Sequence, residues 1–81
     1  MDERTYKAGS SALEIIHKYN TADISFSDAK ERIQLLYDKL KKLELEGDER
    51  TNNLVIVVKL MTFIAGEDPY GIEDSLREIL K

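Results

Sequence analysis

The segment from Leu54 to Ala65 constrains the fold of this chain most strongly, because only Lys59 and Thr62 in it are polar. A helix that spans a membrane needs roughly 20 apolar residues, so this segment is too short to cross a bilayer. The run VIVV at 55–58 favours a strand, but that strand would be apolar on both faces and would need partner strands. The rest of the chain offers no partner strand, and the segment therefore predicts a helix.

The apolar arc of this predicted helix is unusually wide. At 100° per residue, Asn52, Lys59 and Thr62 fall in one narrow polar stripe together with Val55, and apolar residues occupy most of the remaining circumference. An arc of this width is typical of a helix that contacts several neighbours at once. We therefore expect the helix, over about residues 50–65, to be central in a bundle.

Three amphipathic segments surround this apolar one in the sequence. They predict helices over residues 5–19, 26–46 and 69–80. The second shows the clearest periodicity, with a stripe of apolar residues at spacings of 4, 3, 4 and 3: Ala29, Ile33, Leu36, Leu40 and Leu43.

Helix starts are marked by residues that cap free backbone N–H groups. Ser25 and Asp28 have the spacing of a capping box, and Ser27 is a competing N-cap. Asp68 followed by Pro69 is a standard start for the last helix. The four segments and their short connections predict an all-α fold, a small antiparallel four-helix bundle formed by one domain over 1–81, with residues 1–4 flexible.

Composition excludes several classes of protein. The 81 residues carry a net charge of −4, and the cations are interleaved with acids, so no basic surface for nucleic acid is expected. There is no cysteine, and apolar packing must therefore supply nearly all of the stability. The amino terminus has no apolar stretch of signal-peptide length, and we expect a small, acidic, cytoplasmic protein without a transmembrane segment.

No pattern in the sequence indicates a catalytic, cofactor or metal site. His17 is the only histidine, and Ser10 and Ser11 lie too far from it along a helix to form a nucleophile–base pair. The acidic stretches EGDERTNN and GEDPYGIEDS both fail the calcium-loop signature. We expect no enzyme activity, no cofactor and no bound metal.

Four side chains are not fully accounted for by packing within the predicted bundle. Val55 interrupts the polar stripe of the third helix, Phe63 lies at the edge of its apolar arc, Leu45 is near the end of the second helix, and Tyr70 lies in a turn. Exposed apolar and aromatic side chains that cluster mark protein interfaces. The sequence predicts a non-enzymatic interaction or adaptor module that binds another protein, or a second copy of itself as a homodimer, through this surface.

A second hypothesis follows from the arrangement of the segments. A first helix, a break, the stretch FSDAKERIQLLYDKLKKLE, a very apolar third helix and a short last helix resemble in outline the immunity proteins that protect bacteria from their own pore-forming bacteriocins. The resemblance implies a helical bundle that protects a producer cell. It rests on no specific motif, and those proteins are often basic, which this chain is not. A regulator that blocks a DNA-binding partner through protein contact is a third possibility.

Overall fold

The computed structural model describes residues 3–44, 49–61 and 68–81, and within these ranges it contains four helices and no strand. They are α1 (Glu3–Asn20), α2 (Phe26–Glu44), α3 (Glu49–Met61) and α4 (Pro69–Ile79). The all-α prediction is confirmed, and the run VIVV lies in α3. The last residues of the predicted second and third helices, 45–46 and 62–65, lie outside the described residues.

The first helix begins earlier than the sequence indicated. Glu3 and Arg4, which were expected to belong to a flexible terminus, form the first turn of α1. The carboxylate of Glu3 forms an ion pair with Lys7 Nζ, one turn further on, at 3.3 Å. An ion pair at this spacing stabilises an exposed helix by a few tenths of a kcal/mol.

Both predicted caps are present at helix starts. The backbone N–H of Asp28 donates to Ser25 Oγ at 3.2 Å, so Ser25 is the N-cap of α2. Asp68 accepts from the backbone N–H of Gly71 at 3.0 Å, with Pro69 in the first helical position. A Cβ on Gly71 would lie 2.6 Å from Asp68 Oδ2, which explains a glycine in this turn.

The break after α1 is a Schellman motif, which ends a helix with a residue in the left-handed conformation. Asp23 N–H donates to Lys18 O at 2.8 Å, and Ala22 N–H donates to Tyr19 O at 3.1 Å. Ala22 has a φ of 63°, a conformation that favours glycine over alanine. The chain therefore turns here at a cost in backbone strain.

The four helices pack in a ring. α1 contacts α2 and α4, α3 contacts α2 and α4, and α1 also contacts α3 across the ring. Within the described ranges α2 and α4 do not touch. The expected contact between α3 and α4 is present, while the antiparallel order of all four helices stays a prediction.

Buried side chains from all four helices form one hydrophobic core. The predicted stripes supply most of it, and its members are Ala12, Ile15, Ile16, Ala29, Ile33, Leu40, Leu54, Val55, Val58 and Leu76. Gly9 allows α1 to approach two leucines closely, because a Cβ there would lie 2.7 Å from Leu80 Cδ2 and 3.0 Å from Leu54 Cδ2. Gly9 therefore serves packing and does not simply weaken the helix.

The rotation of α3 about its axis differs from the prediction. Val55, placed in the polar stripe by the sequence, is only 4% exposed and packs in the core beside Leu54 and Val58. Ile56, assigned to the apolar arc, is 56% exposed on the side that carries Asn52 and Lys59. Apolar residues at nearly every position let the neighbouring helices decide which side is buried, and the prediction of an exposed Val55 is wrong.

Candidate functional site

One surface of the protein brings together mainly polar and aromatic side chains from α1 and α4. On α1 they recur at spacings of 4, 3, 4 and 3, next to the buried stripe. We call this surface the α1–α4 face, and its residues are Tyr6, Ser10, Leu13, His17 and Asn20 from α1 with Tyr70, Glu73, Arg77 and Lys81 from α4 and the end of the chain.

Glu73 is the centre of a polar cluster on this face. Its Oε1 accepts a hydrogen bond from Asn20 Nδ2 at 2.9 Å, and its Oε2 accepts one from Arg77 Nη2 at 2.7 Å. His17 Nδ1 lies 3.2 Å from the same Oε2 and donates to it when that nitrogen carries a proton. Both carboxylate oxygens of Glu73 are therefore engaged, and the side chain is only 14% exposed.

These contacts lower the pKa of Glu73 from its ordinary value of 4.5 to about 2. The hydrogen bond from Asn20 has the largest effect, followed by the bond from Arg77, since both stabilise the ionised carboxylate. Burial acts in the opposite direction, and His17 adds a smaller lowering effect. Glu73 therefore stays charged at all physiological pH values.

The cluster is suited to joining two helices. A carboxylate whose pKa is about 2 is a weak proton acceptor at neutral pH, far from the value that general base catalysis favours. Across the described ranges, no three His, Cys, Asp or Glu residues come together in a way that could hold a metal ion. The arrangement of Glu73 between Asn20 and Arg77 instead fixes the start of α4 against the end of α1.

Two tyrosines remain exposed on the α1–α4 face. Tyr6 is 48% exposed and lines a groove with Leu13 and Arg77. Tyr70 is 64% exposed, and its hydroxyl donates to Asn20 O at 3.4 Å. Arg77 belongs both to this groove and to the cluster around Glu73, so the face runs along α1 from Tyr6, near its start, to Tyr70, which contacts its last residue.

The four side chains predicted to bind a partner have different outcomes. Tyr70 lies on the surface, as a binding residue must. Val55 is buried and offers almost no surface to a partner. Leu45 and Phe63 lie outside the described residues. Of the two described residues, Tyr70 is therefore the one that is available to a partner, and we keep it in the candidate surface.

Other exposed apolar side chains are spread over the bundle. Ile56 lines a shallow groove between α3 and α4 with Asn53, Ser75 and Ile79. Leu35 is exposed on α2. Phe26 lies at the start of α2, where its ring packs edge-on against Tyr19 at 6.0 Å between centroids. Phe26 and Ile56 line two different grooves, and neither of these grooves includes Leu35.

The role of Glu73 could not be predicted from its own helix, where it is one of several acids. The signal that could have found it is the pattern on α1, since Tyr6, Leu13, His17 and Asn20 share one helical face. A face of this kind, flanking the apolar stripe, predicts a neighbouring helix that supplies polar partners. The identity of that helix could not be read from the pattern.

No protein-family model, no curated protein and no solved structure matches the chain. A search of the described helices for one both long and apolar enough to cross a membrane finds none. The class of the protein, a small all-α helical bundle, therefore rests on its own structure.

Proposed function

We propose that the protein is a non-enzymatic interaction module that binds another protein through the α1–α4 face. The observation that supports this proposal is the pair of exposed tyrosines, Tyr6 and Tyr70, on one surface with the half-exposed Arg77. The surface predicted from the sequence involved the third helix, through Val55 and Phe63. The burial of Val55 shifts the proposed surface to α1 and α4, and Tyr70 is common to both versions.

Tyrosine and arginine are the residue types that protein interfaces favour. A tyrosine contributes a large, rigid apolar ring and a hydroxyl, and fixing it costs little conformational entropy. Binding energy concentrates in a few such anchors, which are enriched in Trp, Tyr and Arg. In this protein Tyr70 is further held by its hydrogen bond to Asn20, so little freedom is lost when a partner covers it.

The experiment that tests the proposal places a photo-crosslinking amino acid at position 70. A matched variant carries it in place of Leu35, which is similarly exposed but lies on α2, a helix with no contact to α4 in the described ranges. In cells of the source organism, we expect one protein to be captured from position 70 and not from position 35. Equal capture from both positions, or capture from neither, would contradict the proposal.

A captured partner is then purified and its affinity measured by calorimetry. We expect Tyr70→Ala to weaken binding about tenfold or more, because truncating an interface anchor costs at least ~1.4 kcal/mol. Leu35→Ala should leave the affinity unchanged. If the captured protein is a second copy of the chain, light scattering on a sizing column should show a dimer that Tyr70→Ala dissociates.

The remaining expectations are proposals as well. We place the module in the cytoplasm, without binding to nucleic acid, on the basis of its sequence. No feature of the described residues favours the immunity-protein alternative. Expression in cells that are sensitive to a bacteriocin tests it directly, since protection of those cells would replace the general adaptor proposal.

A further inference from the structure

The side chain and backbone of Asn20 contact the first five residues of α4 at three points. Asn20 Nδ2 donates to Pro69 O at 3.1 Å and to Glu73 Oε1 at 2.9 Å. Its backbone carbonyl accepts from the Tyr70 hydroxyl at 3.4 Å. The three contacts therefore involve Pro69 just before Tyr70, Glu73 shortly after it, and Tyr70 itself.

The amide of Asn20 can satisfy both acceptors only in the orientation observed. The carbonyl oxygen of Pro69 and the carboxylate of Glu73 both need a donor, so Nδ2 must face them, and its two hydrogens serve one acceptor each. Aspartate at this position would supply no donor at neutral pH and would place a second negative charge beside Glu73. The identity of residue 20 therefore matters beyond its size.

Apolar packing of the first turn of α4 is provided mainly by Ile72, which is partly buried against the core. Asp68 and Tyr70 are exposed, and Ile72 is partly buried, while Leu76, one turn further on, is the first fully buried side chain of the helix. The cap between Asp68 and Gly71 lies within the turn and does not attach it to α1. A segment with few buried apolar contacts opens locally more easily than the core does.

We propose that Asn20 is the positioning residue for Tyr70: it fastens the first turn of α4 to the end of α1 and so fixes where Tyr70 is presented. The inference rests on the proposed function, because it concerns the side chain that a partner would contact. Asn20 itself acts through the turn that carries Tyr70. The rest of α4 is held independently by its packed apolar side.

Hydrogen exchange measured by NMR on the full chain tests whether the first turn of α4 is held separately from the rest of the helix. The amide of Ile72, bonded to Asp68 O at 3.2 Å, reports on the first turn, and the amide of Leu80, bonded to Leu76 O at 3.0 Å, reports on the packed end. In Asn20→Ala we expect the ratio of the Ile72 rate to the Leu80 rate to rise about tenfold, as expected for lost hydrogen bonds to a charged group. Asn20→Ser is a milder second variant.

The matched control is Asn52→Ala, which makes the same substitution on the exposed side of α3. It should leave the ratio unchanged. The pKa of Glu73 is a second readout, since Asn20→Ala should raise it from about 2 towards 4.5 by removing its strongest hydrogen bond. Equal acceleration of Ile72 and Leu80, or no change in either, would overturn the positioning role.

Partner affinity separates failure of this inference from failure of the proposed function. If Tyr70→Ala weakens binding and Asn20→Ala does so as well, both are supported. If Tyr70→Ala weakens binding and Asn20→Ala does not, the positioning role is wrong and the proposed function stands. If Tyr70→Ala has no effect, the proposed function fails, and with it the inference that Asn20 positions a side chain that binds a partner.

Discussion

The side-chain amide of Asn20, the last residue of α1, donates to Glu73 Oε1 at 2.9 Å across the contact between α1 and α4. The two residues are 53 positions apart in the sequence. Glu73 also accepts from Arg77 on its own helix, so one carboxylate links residues of both helices. Charge-assisted bonds of this kind are about twice as strong as neutral ones, and here they attach a short helix at its less buried end.

The charge of Glu73 should make stability depend on pH in a defined window. Its pKa is lowered from 4.5 in the unfolded chain to about 2, so its contribution is complete above about pH 4.5 and is lost as pH falls towards 2. At ~1.4 kcal/mol per pKa unit, a change from 4.5 to about 2 would be worth ~3.5 kcal/mol without screening. Water partly screens the half-exposed Arg77 and His17, so we expect a contribution of about 2 kcal/mol. Urea unfolding at several pH values measures it.

Glu73→Gln removes the charge and should cost about 1–2 kcal/mol at neutral pH, since the amide still accepts a hydrogen bond from Asn20. The difference in the free energy of unfolding between the variant and the original protein should shrink below pH 4.5. The control is Glu78→Gln on the same helix, where the acid is exposed and lies 3.8 Å from Lys81. A constant difference at all pH values would show that the loss does not come from the charge.

The rotation of α3 can be tested by placing an acid at two adjacent positions. Val55→Asp should cost about 3 kcal/mol or more, because it buries an unpaired charge in the core. Ile56→Asp should cost within about 1 kcal/mol, because that side chain is exposed. Thermal unfolding followed by circular dichroism compares the two, with Val55→Asn as a milder variant. The reverse order of stability would restore the rotation predicted from the sequence.

The strained turn after α1 offers a stabilising substitution. Ala22 has a φ of 63°, and Ala22→Gly should raise the free energy of unfolding by about 0.5–1 kcal/mol after the larger entropy of unfolded glycine is subtracted. Ala8→Gly, within α1, should lower it by about 1 kcal/mol. Denaturant midpoints measure both changes. A loss of stability in both variants would mean that Ala22 is not in the left-handed conformation.

The start of α2 distinguishes two serines that the sequence left in competition. Ser25→Ala should cost about 1 kcal/mol, because Ser25 Oγ accepts from the Asp28 N–H. Ser27→Ala should cost within about 0.5 kcal/mol, because Ser27 is an exposed helical residue. Denaturant unfolding of the two variants checks the assignment, and equal losses would contradict it.

The sequence predicted those parts of the fold in which one periodic pattern dominates. Ile33 and Leu40 repeat at helical spacing on α2 and are both buried, and Asp68 with Pro69 starts α4 as expected. The pattern was insufficient on α3. Val55 and Ile56 are equally apolar neighbours, and only the positions of the other helices determine which of them is buried.

The candidate site was less predictable for a related reason. An acid near the start of a helix, such as Glu73, is usually solvated and stabilised by the helix dipole, and local sequence gives no other reason for it. Its partners His17 and Asn20 lie on another helix, 56 and 53 positions away. Tyr70 was predicted as a surface residue because a turn position needs no neighbour to be exposed.

The pKa of Glu73 in the folded protein is the most direct measure of whether this carboxylate joins α1 to α4. A ¹³C NMR titration of its side-chain carboxyl, with core methyl signals monitoring the fold, gives the value for this residue alone. We expect a midpoint of about 2, set by the hydrogen bonds from Asn20 and Arg77. A midpoint near 4.5, the ordinary value, would show that Glu73 does not join α1 to α4.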